Sequence, residues 1–401
     1  ARVHLLLARR ASRAPPGEAR DREVESELSA AVEACPRCTQ ARGELGRVLL
    51  ARGEVGRAVQ ALEPAAAPGD VDYLRLRVRA LVVAGRPADA LASVDGALAR
   101  AADDPRLVLL KGWIEERSGR SAEARKLYET AVAKAPGDWR AQATLGRLAV
   151  RQGDLARART ALQLAAEKAP AEPEVLVGAG ELRLAEGDAA GAEGSFRKAA
   201  EADPDEAGAL LGLARVALSR GDAKAAGPLV ARAARLDPAL LDAQLLLAEL
   251  AWKGGDAEAA RKALATAAGI DGKSALVRAR TGALDLEQGR VDDALRELDQ
   301  ATNLDAGLAE AQYWLGRALL AKGDAPQALE RLRRAAELRP DVGAHHLHLG
   351  IAYERAGRSP DAADAYRTAA ARDPRLEEAY ERLALLLAAQ GDGKEAVAQL
   401  Q

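Results

Sequence analysis

Small and apolar side chains recur along this chain at the i, i+3, i+4 spacing of a helix face, in paired segments separated by glycine. Residues Trp139 to Glu172 show the pattern most cleanly. They predict two amphipathic helices, around Arg140–Gln152 and Ala156–Lys168, with Gly153-Asp154 between them and Pro170 closing the unit. Leu145, Gly146, Ala158, Leu162 and Ala165 are the positions at which the two helices, run antiparallel, can touch. The same skeleton returns 34 residues away in both directions. Glycine stands at 85, 119, 153, 187, 221, 255, 289, 323, 357 and 391; alanine follows five places later, from Ala90 to Ala396, and again seven places on, from Ala97 to Ala369. A larger apolar residue lies between the alanines, as at Tyr128, Leu162, Phe196 and Tyr366, and proline closes units at 136, 170, 204, 238, 340 and 374. A period this regular makes the repeat, not the globular domain, the unit of the fold.

Each recurring choice has a physical cause. Glycine permits the reversal between helices without a Cβ penalty. Asp154, Asp188, Asp222, Asp256, Asp324 and Asp392 follow it, where a carboxylate can accept from free N–H groups at a helix start. The alanines let two helices approach closely, the larger residue fills the gap between them, and proline stops the second helix. A single helix pair cannot bury its apolar face, so neighbours must stack. The units predicted are a degenerate first repeat at 1–38, with helices at Val3–Ala11 and Glu18–Ala34 around the breaker Ala14-Pro15-Pro16-Gly17. Ten repeats follow at 39–70, 71–104, 105–138, 139–172, 173–206, 207–240, 241–274, 275–308, 309–342 and 343–376. Residues 377–401 make a partial one, and Leu400 at a gap-filling place implies a longer natural chain. The weakest junction is expected at 272–308, where Gly272 and Ala306 replace the closing proline and Thr281 and Asp285 take apolar places.

The ordered small and large positions resemble the tetratricopeptide repeat family. Gln312, Leu315, Gly316, Leu319, Ala328, Leu332, Ala335 and Pro340 occupy the family's places in one unit; Leu349, Gly350, Tyr353, Ala362, Tyr366, Ala369 and Pro374 do so in the next. The resemblance covers Thr39–Gln401 and, more loosely, the first 38 residues. It implies an all-α, right-handed superhelical solenoid of about twelve helix-turn-helix repeats, non-enzymatic, whose concave groove binds a partner peptide or helix. In the family, places 2, 5, 9 and 12 of the first helix face that groove. Here they supply Arg79, Trp113, Arg147, Arg215, Trp252, Tyr313 and Arg317 as candidate partner-binding residues, over a floor of leucines that includes Leu109, Leu211, Leu245 and Leu347. An arginine-studded apolar floor suits an acidic, apolar partner; the simpler reading of the leucines is packing within and between repeats. Chaperone-clamping and asparagine-ladder members of the family need asparagines, and Asn303 stands alone.

Composition narrows the rest. With 58 basic and 60 acidic residues interleaved, neither nucleic acid nor an anionic membrane is implied as a partner. No apolar run is long enough to cross a bilayer. The arginine- and alanine-rich text fits a GC-rich bacterial source, and a chain opening on Ala1 without methionine reads as processed or partial. Cys35-Pro36-Arg37-Cys38 lacks the second ligand pair of a zinc site; it reads as two thiols at an inter-repeat turn, or as a disulfide. Gly269–Ser274 ends like a phosphate-binding loop, but Ala267 stands at the required first glycine and a helix precedes it. His345, His346 and His348 lack the carboxylate pattern of a metal site and read as partner-facing or partly buried side chains. No nucleophile sits in a strained strand-turn-helix context, so no catalytic residue and no cofactor is expected. Two rival roles stay open: a bacterial cell-envelope assembly factor, to which an oxidised Cys35–Cys38 pair would point, in periplasm rather than cytoplasm, and the regulatory arm of a larger enzyme.

Overall fold

The computed structural model describes residues 1–12, 18–63, 70–389 and 391. Among them are twenty-three helices and no strand. They alternate as first and second helices of antiparallel pairs, beginning with Arg2–Ala11 and Glu18–Ala34; the last described helix is Glu377–Ala389. The unit read most cleanly in the sequence forms Trp139–Arg151 and Leu155–Lys168, each starting one residue earlier than its apolar pattern predicts. The fold is an all-α solenoid of the superhelical helix-turn-helix class, as expected.

The reversal inside each pair rests on the periodic glycine, whose φ lies between 71° and 93° from Gly53 to Gly391. A side chain there would cost backbone strain, which explains the strict period. The aspartates that follow act as caps: Asp154, Asp188, Asp222, Asp256 and Asp324 accept from the N–H groups of Arg157, Gly191, Ala225, Ala259 and Gln327 at 2.8–3.1 Å. Each such cap is worth about 1 kcal/mol. Asp392, Leu400, the remainder of the expected last half-helix and the Ala14–Gly17 breaker lie outside the described residues.

Packing within a pair is a knob set in a socket. A Cβ on Gly146, Gly316 or Gly350 would lie 2.7, 2.5 or 2.5 Å from Leu162, Leu332 or Tyr366. Phe196 fills two such sockets, since a Cβ on Gly180 or Gly212 would approach its ring to 2.5 or 2.4 Å. Burying each knob contributes roughly 1.5–3 kcal/mol. Ala158, Ala192, Ala226 and Ala328 have no exposed surface, so even a methylene added there would overpack the contact.

Where the sequence departs from the pattern, the polar groups find partners. Asp285 is buried and accepts from Arg261 at 3.2 Å and Arg290 at 2.6 Å. The Thr281 hydroxyl donates to the Val277 carbonyl at 2.9 Å. Residues Gly269–Ser274 join the helices Ala257–Ile270 and Ala275–Glu287, and Ser274 caps the second of them. Cys35 and Cys38 sit at the expected turn, between Glu18–Ala34 and Thr39–Ala51, but they are joined in a disulfide; the reading as two free thiols is corrected. Packing divides the chain into two compact units, Ala1–Gly254 with Gly269–Asp271, and Gly255–Ala268 with Gly272–Gln401. Each has its own core: Leu49, Leu62, Leu81 and Ile114 centre the largest cluster of the first, and Leu298, Leu315 and Leu332 that of the second.

Candidate functional site

Within the first unit, three first helices, Val71–Val83, Pro105–Arg117 and Trp139–Arg151, set a row of cations along one side of a cavity of about 310 Å³. Arg75, Arg79, Arg106, Trp113, Arg117, Arg140 and Arg147 line that side. Glu174, Asp203, Asp205, Glu206 and Asp237 supply carboxylates to the remainder. These residues stand at places 2, 5, 9 and 13 of their helices, which lie along one helix face.

Three of the seven sequence-predicted residues, Arg79, Trp113 and Arg147, share this cavity. Their arginines are engaged within the chain. Arg147 makes a two-pronged pair with Glu181, both contacts at 3.0 Å, with side chains only 26 % and 16 % exposed. Burial disfavours both charges, but each partner's attraction exceeds that loss, holding the guanidinium above and the carboxyl below its ordinary pKa. Arg79 donates to the Leu236 carbonyl at 3.0 Å and lies 4.0 Å from Asp237. Trp113 packs on the main core cluster, with the Arg117 guanidinium 5.2 Å above its ring. Arg75 and Arg140 make no ion pair among the described residues; Arg140 stacks on Trp139 at 4.3 Å. Burial pushes the Glu206 carboxyl up, against the pull of Arg147 and of the Gly208 N–H that it caps at 3.1 Å.

The other four candidates lie elsewhere. Arg215 pairs with Asp242 at 2.6 Å, and Trp252 is half-buried; neither lines the cavity. In the second unit Tyr313 packs against His345 and His348, with ring centres 4.9 and 5.2 Å away, and Arg317 lies 4.3 Å above Trp314. The Tyr313 hydroxyl lies 3.3 Å from His348 Nδ1, whose pKa burial pushes down to about 4. Each of the three clustered histidines faces its own backbone carbonyl, Ala335, Pro340 or Ala344, at 3.1 Å. Among the described residues no three His, Cys, Asp or Glu side chains converge to hold a metal ion, and no helix is long and apolar enough to cross a membrane.

The apolar residues expected at place 5 divide: Val177, Leu211, Leu245 and Leu347 are buried in the repeat cores, whereas Leu109 is half-buried and lines the cavity. What the face offers is paired charge with aromatic patches. The sequence reading also missed Arg117, Asp237 and Ala239. Arg117 donates to the Ala239 carbonyl and, at 2.9 Å, to Asp237, although these partners lie 122 and 120 residues away. No local signal in the sequence announces such a contact.

Stacked helix pairs, glycine sockets and a first-helix face that carries a cavity define a repeat-solenoid class. Tetratricopeptide repeat profiles match residues 25–71, 75–138, 109–173, 143–207, 177–240, 217–281, 281–343, 315–377 and 347–401. The chain belongs to the tetratricopeptide repeat family. No curated protein matches it in sequence. Among solved structures it is similar to a crystal structure of the APC/C hetero-tetramer Cut9–Hcn1, with a TM-score of 0.51 at 13% identity, covering 96% of both chains. That likeness is one of fold.

Proposed function

We propose that the chain is a non-enzymatic protein-interaction scaffold whose first-helix face holds a segment of a partner protein. The cavity carries this reading: it opens on several repeats at once and sets cations, carboxylates and Trp113 around one space. Such a surface offers specificity through charge register and contact energy through the aromatic ring. Arg79, Trp113 and Arg147 act there, with Arg75 and Arg140 supplying the uncommitted charge. Arg215 and Trp252, and in the second unit Tyr313 and Arg317, act as further contacts on the same kind of face. Affinity capture with the wild-type chain and with Arg75→Glu/Arg140→Glu tests this. Partners lost from the double variant at unchanged helicity support the reading; identical capture by both refutes it for this cavity.

A second reading concerns place rather than mechanism. The Cys35–Cys38 disulfide favours an oxidising compartment, which supports the cell-envelope version of the role. Thiol alkylation of the native protein as made in its own cell decides it. Two unreacted cysteines agree with the envelope; two alkylated ones place the protein elsewhere.

A further inference from the structure

The turn Leu236–Leu240, between the helices Ala223–Leu236 and Leu241–Lys253, does something no other inter-repeat turn among the described residues does. Ala239 is 1 % exposed and belongs to the core cluster of Leu45, Leu49, Leu81 and Ile114, more than a hundred residues earlier in the chain. At the same place in the other repeats stand residues 37, 103, 137, 171, 205, 273, 307, 341 and 375, all exposed. Repeat packing therefore does not require the burial. The segment is a tight turn, closed by the Leu240 N–H donating to the Asp237 carbonyl at 3.0 Å, and its backbone is recognised by side chains of the first helices. Arg79 donates to the Leu236 carbonyl at 3.0 Å, Arg117 donates to the Ala239 carbonyl, and the Asp237 carboxylate takes Arg117 at 2.9 Å. The side chains of Arg117 and Asp237 are 15 % and 14 % exposed, so the pair is withdrawn from water and strengthened by it.

We infer that Leu236–Leu240 is an internal ligand seated on the first-helix face, and that this face is built to bind a partner turn of the same chemistry: an acidic residue followed by proline and a small apolar residue. The inference rests on the scaffold reading and narrows it to one partner class. Two carbonyls read by guanidinium groups hold the two sides of the turn, the carboxylate fixes register, and a socket that accepts a methyl group excludes larger side chains. The cavity beside the turn, lined by Arg75, Arg140 and Trp113 as well as by Asp237 and Leu240, takes the residues that flank the motif. Because the internal segment is tethered, it competes at high effective concentration and keeps the free chain closed to weak partners.

The test uses the full chain and a fluorescent peptide of residues 234–241, Ala-Arg-Leu-Asp-Pro-Ala-Leu-Leu. Ala239→Asp unseats the turn; aspartate already occupies that place in three other repeats, at Asp103, Asp205 and Asp341, so the turn itself tolerates it. The variant should bind the peptide about tenfold or more tightly than wild type, as expected when a mostly closed site is opened. Arg117→Glu added to it should abolish the gain, and a peptide with lysine for aspartate should not bind. Asp237→Ala serves as a second opening variant should Ala239→Asp lose helicity. Peptide affinity equal to wild type in a folded opening variant overturns the inference, and shows the contact to be a fixed interface. The scaffold reading is judged separately, by partner capture through Arg75 and Arg140, so the two can fail independently.

Discussion

Asp203-Pro204-Asp205-Glu206 and Asp237-Pro238-Ala239-Leu240 occupy the same place in consecutive repeats and begin with the same two residues. The first is solvated: Asp203 and Asp205 are exposed, and Arg232 meets Asp205 at 3.1 Å as a surface pair 46 % and 70 % exposed. The second is buried against helices far earlier in the chain. Locally they differ at two places, Ala239 for Asp205 and Leu240 for Glu206. What lies opposite the second turn, Arg79 and Arg117, then holds it. A shared Asp-Pro start thus carries unequal energetic weight.

The largest effect should come from charge reversal at the two turns. Arg117→Glu leaves Asp237 buried beside a like charge and should destabilise the first unit by about 3–5 kcal/mol, as breaking a buried pair does. Arg232→Glu should cost below about 1 kcal/mol, since a solvated pair contributes little. Urea unfolding of both variants reads the difference; equal costs would falsify the contrast between the turns.

Swapping the residues that distinguish the turns should have the next largest effect. Ala239→Asp, which sets a carboxylate against an apolar cluster, should cost about 1–3 kcal/mol. Asp205→Ala should change stability by no more than about 0.5 kcal/mol. Matching midpoints for the two variants would mean that the methyl group of Ala239 contributes nothing to the seat.

Acid offers a finer probe. Burial alone would raise the Asp237 pKa, but Arg117 and Arg79 attract the carboxylate more strongly and hold it below its ordinary 3.8. A native pKa below the unfolded one means that the contribution is complete above pH 3.8 and fades as the pH falls from there through the native value. Carboxyl NMR should place Asp237 below the ordinary range in wild type and move it upward in Arg117→Gln. An unchanged titration in that variant would remove Arg117 as the cause.

The smallest contrast is one of opening rates. The sequence marks 272–308 as the weakest junction, yet Asp285 there is held by Arg261 and Arg290. Hydrogen exchange should still open this stretch before 139–240, which includes the Phe196 double socket and the turn held by Arg79 and Arg117. Uniform protection would show that the arginine pair makes up for the missing proline.

Much of the candidate site escaped the sequence for a single reason. Place 9 of each first helix was legible, which found Arg79, Trp113 and Arg147, because a helical period fixes direction. The partners were not. Glu181, which neutralises Arg147, lies 34 residues on, and Asp237, which holds Arg117, lies 120 residues on. The first distance is one repeat and follows from the period; the second depends on how successive repeats turn.

What the sequence determined by itself was everything that one repeat and its neighbour can express. The glycine at each reversal, the aspartate cap, the alanine contacts and the large residue in the glycine socket all act within a few residues or across one helix pair, so a 34-residue period is enough to read them. Only the tertiary structure decided which of ten similar turns is buried, and which arginines face a partner rather than a carboxylate of the same chain. Those outcomes depend on small rotations accumulated over several repeats, and a local pattern carries no record of that sum.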